Sequence, residues 1–134
     1  MQFFVAVKGI IRNAEGKILV VKRSQNDDHK PGVWETPGGG LDHEESPQTG
    51  LEREIREEVG LAVTIKEPFN VFTFRKDSGE FKIGITFLCD MMDGEVKLSS
   101  EHEEYRFIHP AEFKDLESVP SLHKEIADYA QKYA

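Results

Sequence analysis

The sequence predicts a domain of the α/β class, in which several strands and two amphipathic helices share one apolar core. Most apolar segments are short, rich in β-branched and aromatic residues, and bounded by turn residues, which is typical of strands. Two other segments repeat apolar residues every three to four positions, which is typical of helices. With 134 residues, 38% of them hydrophobic, the chain (1–134) is expected to form a single domain.

The N-terminal third is predicted to be β structure. Residues 3–12 and 18–23 are rich in β-branched and aromatic residues and flank a turn-type cluster at 13–16, so they predict a β-hairpin. Residues 33–36 predict a short strand. Pro37 and the glycines at 38–40 follow it and predict a loop with unusual backbone freedom.

A helix is predicted next, over residues 47–59. Ser46 is a favourable N-cap, Pro47 suits the first helical position, and Gly60 supplies a stop signal. Gly50 weakens such a helix by about 1 kcal/mol relative to alanine, which suggests that it permits a close packing approach instead. An apolar stripe for the core recurs at every fourth position: Leu51, Ile55 and Val59.

The C-terminal half is predicted to be mainly β, followed by helix. Turn signals at 77–79 and 93–94 separate strands that are expected at 61–66, 70–75, 82–91 and 95–98. One further strand is expected at 104–108 and a short helix at 110–116. Ser121 is expected to cap a last helix whose apolar face holds Leu122, Ile126, Tyr129, Ala130 and Tyr133.

Charge and cysteine content narrow the functional classes. Seventeen basic against 25 acidic residues give a net charge of −8, which repels nucleic acid polymers and anionic membranes. A small phosphorylated substrate would need bound cations to offset that repulsion. Cys89 is the single cysteine and the first residues do not resemble a secretory signal, so a cytoplasmic location is expected. No apolar run approaches the length of a membrane span.

Three carboxylates of the first helix share one flank. Glu54, Glu57 and Glu58 stand in an i, i+3, i+4 relation, so they project from one side of the helix. Each like-charged pair at this spacing costs a few tenths of a kcal/mol. Either a cation offsets this repulsion, or the face is solvated and relieved by nearby arginines, and the spacing alone does not decide between the two.

The wider segment GGGLDHEESPQTGLEREIREEVGL, residues 38–61, resembles the Nudix box. The box positions are met by Gly39, Glu45, Arg53, Glu54, Ile55, Glu57, Glu58, Gly60 and Leu61. Two departures lie outside the presumed ligands: Glu44 replaces a frequent glycine, and Gly50-Leu51 replaces a frequent alanine pair. The resemblance implies a Nudix-type α/β/α sandwich with a central mixed β-sheet.

The resemblance also implies a metal site for Mg2+, with Mn2+ as a possible substitute. Glu57 and Glu58 are the implied core ligands, Glu54 is a third ligand or the base that acts on water, and the Gly39 carbonyl completes the set. Carboxylate and carbonyl oxygens are the ligands that Mg2+ prefers.

Supporting roles are implied for residues on either side of these ligands. Arg53 is expected to orient a carboxylate, with Glu45 as its partner, although a purely structural ion pair explains both residues equally well. Beyond the box, Glu101 is the first candidate and Glu104 the second for an extra ligand or base supplied by a loop. A solvated acidic turn is the alternative.

Two residue classes stay undecided between site and scaffold. Aromatics on predicted strands are more simply explained as core than as base-stacking groups: Trp34, Phe72, Phe74 and Phe87. Basic residues on or near strands could meet phosphates or lie at solvated edges: Lys8, Lys22, Arg23 and Arg75.

The resemblance implies a hydrolase that cleaves a diphosphate linkage in a nucleoside diphosphate linked to another group. That class includes nucleoside triphosphates, oxidised nucleotides and dinucleoside polyphosphates. The expected partner is a small-molecule nucleotide or other diphosphate, not a nucleic acid polymer or a membrane, and the sequence does not decide between monomer and homodimer. The alternative is a catalytically silent Nudix-fold module that binds a nucleotide to regulate another protein, which the presence of every box glutamate disfavours.

Overall fold

Alternate residues of the central strands pack into two separate apolar layers, one on each face of a mixed sheet. The computed structural model describes residues 4–26, 30–42, 44–76 and 78–133. In these residues the strands are β1 (Phe4–Arg12), β2 (Ile18–Arg23), β3 (Trp34–Glu35), β4 (Gly38–Gly40), β5 (Ala62–Arg75), β6 (Phe81–Asp93) and β7 (His102–Ile108). The helices are α1 (Pro47–Val59), a 3-10 helix (Pro110–Asp115) and α2 (Pro120–Tyr133).

The sheet runs in the order β3-β2-β1-β6-β5, with β4 paired to β1 and β7 paired to β2. The β1–β6 pairing is parallel and the others are antiparallel, so the sheet is mixed. On one face, Val7 and Leu19 pack with Ile55 of α1, and on the other, Ile10 and Val20 pack with residues of α2. The α/β/α sandwich with a central mixed sheet is thereby confirmed.

The predicted N-terminal hairpin exists only at its turn. Asn13 Oδ1 accepts hydrogen bonds from the Glu15 and Lys17 amides, both at 3.0 Å, and β1 pairs with β2 at Arg12 and Ile18. Over the rest of its length β1 pairs with β4 and β6 instead. Of the predicted first strand, residue 3 lies outside the described residues.

The three glycines at 38–40 form strand β4 and not the predicted loop. They pair antiparallel with Ala6, Val7 and Lys8 of β1. Gly38 has φ 153°, and a Cβ at this position would overlap the Val7 carbonyl oxygen. Glycine is therefore required for the backbone to reach β1.

Helix α1 has the bounds that its sequence predicts. Ser46 Oγ accepts from the Thr49 amide at 3.2 Å, and the Gly60 amide donates to the Arg56 carbonyl at 3.0 Å. The stripe Leu51, Ile55 and Val59 is fully buried. Gly50 is buried as well, and a Cβ there would meet the side chains of Leu41 and Glu45, so the close approach expected at Gly50 is present.

Three predictions for the C-terminal half are wrong. Residues 62–75 form one strand with register irregularities around Pro68, where two strands were expected. Residues 95–98, all of them described, form no strand, because this segment turns to the end of α1, where the Lys97 amide donates to the Val59 carbonyl at 2.8 Å. Such bonds satisfy helix carbonyls that have no partner within the helix.

The third error concerns the start of α2. The helix begins at Pro120, so Ser121 lies inside the first turn and is not the cap. Proline has no N–H, and the N–H of the first helical residue has no partner within the helix, so a helix can begin at Pro120.

The short helix after β7 is present as a 3-10 helix. Residue 77 of the predicted turn lies outside the described residues. None of the helices that the structure describes is long and apolar enough to span a membrane.

The strand β4 yields a stability prediction. Gly38→Ala should lower the free energy of unfolding by about 1–3 kcal/mol, because the added methyl overlaps backbone and the φ value is strained for alanine. Gly40→Ala is the matched control, since nothing lies within 4 Å of its Cβ position, and it should change stability by less than about 1 kcal/mol. Urea unfolding of both variants measures the difference, and equal midpoints would contradict the assigned backbone of β4.

Candidate active site

The three carboxylates of α1 differ in their solvent exposure. Glu58 is buried with 6% of its surface exposed, Glu54 is half-buried, and Glu57 is exposed. The helix therefore presents Glu58 to the layer between helix and sheet. The predicted flank is present, but its members have different environments.

Glu58 lies in strongly negative surroundings. Burial raises its pKa to about 8, and the charges of Glu35, Glu54 and Glu101 add to the effect, whereas Lys8 opposes it. A carboxylate in this position is costly as an anion unless further positive charge is present. The surroundings therefore fit a bound cation.

Glu101 is held over Glu58 by its backbone. The Glu101 carbonyl accepts from the Ser24 amide at the end of β2 at 2.9 Å, and the Ser99 amide donates to the Glu58 carbonyl at 2.9 Å. Glu58, Glu101 and His102 each offer a ligand atom, and these atoms lie within 4.8 Å of one another. Glu101, the first candidate beyond the box, thus lies beside Glu58 of α1.

His102 reaches this cluster through a β-bulge. The β2–β7 register pairs Lys22 with Glu104 and then Arg23 with His102, so one residue of β7 is left over. A bulge of this kind turns a side chain to the opposite face of a sheet. His102 accordingly faces α1, whereas Glu104 lies on the same face as Arg106.

The second candidate, Glu104, is not brought to the cluster. Arg106 donates from Nε to Glu104 Oε2 at 3.0 Å, and the Arg106 guanidinium lies over the Trp34 ring at 4.7 Å. Trp34 belongs to the core layer beneath α2. Glu104 is therefore separated from the box helix by the sheet.

Glu35 is a site residue that sequence reasoning missed. Its carboxylate contacts His102 Nε2 at 2.8 Å, Arg23 Nη1 at 3.1 Å and Lys8 Nζ at 3.7 Å. Burial alone would raise its pKa, but Lys8, the His102 hydrogen bond and Arg23 outweigh burial and hold the pKa at about 2. The available signal was an acidic residue on the strand directly before the glycines.

The basic residues divide between site and surface. Lys8 and Arg23 contact Glu35 beside the cluster, so they are not residues of solvated strand edges. Arg75 donates to the Gly79 carbonyl at 2.9 Å near the tip of the β5–β6 hairpin. Among the aromatics, Trp34 and Phe87 are buried in the core, and Phe72 and Phe74 contact each other on β5.

Arg53 binds the glycine strand and its following loop to the carboxylates of α1. It donates to Glu45 from Nε at 2.8 Å and from Nη2 at 3.0 Å, which is a bidentate pair. These bonds lower the pKa of Glu45 to about 2. Arg53 Nη1 also donates to Glu54 at 3.2 Å and to Glu57 at 3.1 Å, and Nη2 donates to the Gly40 carbonyl at 3.3 Å. The expected Arg53–Glu45 pair is therefore present.

Gly39 lies against the carboxylate of Glu54. A Cβ at position 39 would be 2.5 Å from Glu54 Oε2, so any other residue there would displace this carboxylate. Burial raises the pKa of Glu54, against the effect of Arg53. The Gly39 backbone and the Glu54 carboxylate are therefore adjacent, and carbonyl and carboxylate oxygens are donors that fit a hard divalent cation.

Comparison with known proteins agrees with this geometry. The NUDIX domain model matches residues 2–129. The chain is 32% identical over 111 residues to a MutT-like protein of Streptomyces ambofaciens, covering 83% of this chain and 67% of that protein. It is 35% identical over 130 residues to an ADP-ribose pyrophosphatase of Methanocaldococcus jannaschii, covering 93% and 72% respectively.

A similar structure has been determined for the MutT protein of Methanosarcina mazei Go1. It superposes with a TM-score of 0.83 at 28% identity and covers 97% of this chain and 94% of its own. The match extends over sheet and helices, so it includes the elements that carry the carboxylate cluster. The chain therefore belongs to the Nudix hydrolase family and is a pyrophosphohydrolase of that family.

Proposed function

We propose that this chain hydrolyses a diphosphate linkage in a nucleoside diphosphate linked to another group, with Mg2+ held along α1 and Mn2+ as a possible substitute. The observation that carries the proposal is the buried Glu58 carboxylate, which faces Glu101 and lies among further carboxylates. Such a concentration of negative charge in a shielded place is a stable arrangement when a divalent cation neutralises it.

The donor groups suit that cation. Glu57 and Glu58 are proposed as the core ligands, Glu54 as a third ligand or as the base, and the Gly39 carbonyl as a further donor. A divalent cation supplies charge neutralisation for phosphate oxygens and lowers the pKa of bound water. Glu57 is exposed and pairs with Arg53 at 3.1 Å, so its carboxylate is accessible from the solvent.

Arg53 is proposed as a positioning residue. Its guanidinium bonds Glu45, Glu54 and Glu57 together, so it fixes two of the proposed ligand carboxylates relative to the loop that follows β4. Glu101 is proposed to remove a proton from the attacking water or to serve as an extra ligand. Its exposed carboxylate beside buried Glu58 supports both roles.

The substrate class follows from charge and relatives. A net charge of −8 disfavours nucleic acid polymers and anionic membranes, and leaves small nucleotides neutralised by cations. One relative is named an ADP-ribose pyrophosphatase, which supports a diphosphate flanked by a nucleoside and a second group.

We further propose a single domain, residues 1–134, that acts in the cytoplasm. Monomer and homodimer are both compatible with the proposal.

The experiment that tests the proposal is an assay of purified protein on nucleoside triphosphates, oxidised nucleotides, ADP-ribose and dinucleoside polyphosphates with Mg2+ or Mn2+. Phosphate and diphosphate release are measured separately, which identifies the bond that is cleaved. Metal-dependent hydrolysis of at least one compound is expected. Binding of nucleotides without any turnover would favour the silent regulatory module instead.

Glu57 offers a direct test of the ligand assignment. Glu57→Gln should lower kcat by about two orders of magnitude or more, because the amide loses the charge that the cation requires. Glu52→Gln is the matched control on a different, exposed face of α1 and should change little. Circular dichroism establishes that both variants are folded. Near-normal turnover of folded Glu57→Gln would rule out the assignment.

Glu101 and Glu104 form a second matched pair. Glu101→Gln should reduce kcat strongly, whereas Glu104→Gln should not, because Glu104 lies on the other face of the sheet with Arg106. Steady-state kinetics at several Mg2+ concentrations separate the roles. If Glu101 is a base, its substitution leaves the Mg2+ requirement unchanged. If Glu101 is a ligand, its substitution raises the Mg2+ concentration that turnover requires. Full turnover of Glu101→Gln at limiting Mg2+ would refute both roles.

A further inference from the structure

One imidazole nitrogen in the cluster has no hydrogen-bond partner. Only 2% of the His102 side-chain surface is exposed, and the Nδ1 atom makes no hydrogen bond within the described residues. This atom faces Glu58 Oε1 at 3.8 Å, which is too long for a hydrogen bond. A buried polar atom without a partner requires an explanation.

The other ring nitrogen determines which protons His102 carries. Its Nε2 atom lies 2.8 Å from Glu35 Oε2. Glu35 is bonded to Arg23 and lies 3.7 Å from Lys8, so it is an ionised acceptor and cannot donate. Nε2 must therefore carry the hydrogen. In the neutral imidazole this leaves Nδ1 as a lone pair aimed at the carboxylate cluster.

A lone pair and an ionised carboxylate that face each other repel unless a positive charge, from a proton or a metal ion, lies between them. Histidines that ligate metals commonly donate their other ring N–H to a carboxylate, which fixes the tautomer and the ring orientation. Glu35 and His102 have this arrangement. The donor atoms of His102, Glu58 and Glu101 all lie within 4.8 Å of one another. One cation with bonds of about 2 Å can bridge this spacing.

We propose that His102 Nδ1 is a nitrogen ligand that, with Glu58 and Glu101, forms a cation position selective for transition metal ions over Mg2+. Imidazole suits ions such as Zn2+, Fe2+ and Ni2+, and Mn2+ accepts it more readily than Mg2+, which prefers oxygen donors throughout. The inference rests on the proposed function only in taking Glu58 and Glu101 as ligands. It adds a mixed nitrogen and oxygen position beside the carboxylates of α1.

The test detects the nitrogen itself. Pulsed electron paramagnetic resonance of Mn2+ bound to the full chain should show coupling to nitrogen, and the coupling pattern should change when the protein is made with 15N-labelled histidine. His102→Asn should abolish the coupling. His109→Asn is the control, since His109 is exposed at the start of the 3-10 helix, where asparagine is a favourable cap.

A second variant keeps the test decisive if His102→Asn does not fold. A chain in which His29, His43, His109 and His123 are replaced by asparagine retains His102 as its single histidine. Histidine-derived coupling in this chain is expected. Its absence from Mn2+-loaded wild type, or its persistence in His102→Asn, would overturn the proposal.

Affinity provides an independent readout. Titration calorimetry should show that His102→Asn loses about tenfold or more in Mn2+ affinity, while its Mg2+ affinity changes by less than about threefold. Glu35→Gln should weaken Mn2+ binding by about 10–100-fold through the loss of ring orientation. Unchanged Mn2+ affinity in both variants would refute the nitrogen ligand. Metal-dependent turnover with oxygen-only coordination would refute this inference alone, whereas absence of metal-dependent turnover would refute the proposed function.

Discussion

The burial of the Glu58 carboxylate among other acids is the constraint on which the rest of the site depends. Glu58 is held on the sheet side of α1 by a stripe of fully buried apolar residues on the same helix. Burial and neighbouring acids raise its pKa to about 8. The apolar packing of α1 thus holds the Glu58 carboxylate where electrostatics disfavour its ionised form. Such a conflict between packing and electrostatics is characteristic of ligand-binding sites.

The surrounding backbone is shaped to maintain that position. Gly38 and Gly39 allow β4 to pass between β1 and Glu54 without a Cβ in the way. The bulge in β7 turns His102 toward α1, and the segment at 97–99 donates amides to the last carbonyls of the helix. Ion pairs lie on either side: Arg53 with Glu45, and Glu35 with Lys8 and Arg23. Together these features position the donor groups around Glu58.

Local signals made α1 predictable from the sequence, and tertiary contacts made other elements less so. Ser46, Pro47 and Gly60 define α1 through contacts within a few residues, so its bounds were correct. Residues 95–98 were mispredicted because the Lys97 amide bonds to the end of α1, a contact that no local pattern reveals. The α/β/α sandwich came from the resemblance of the box. The carboxylates of α1 came from helical spacing, but spacing could not rank Glu58 above Glu57 in burial. Glu35 and His102 were missed because their meeting depends on strand register and one bulge.

We propose that the Glu58 carboxylate destabilises the fold without a cation and serves to bind one. Thermal unfolding of wild type and Glu58→Gln, each with and without Mg2+, tests it most directly. Glutamine has a similar size but no charge, so Glu58→Gln should be at least as stable as wild type without metal. Mg2+ should then raise the Tm of wild type and leave that of Glu58→Gln nearly unchanged. Equal stabilisation of both proteins by Mg2+, or a marked loss of stability in metal-free Glu58→Gln, would show that Glu58 is not the residue that binds the cation.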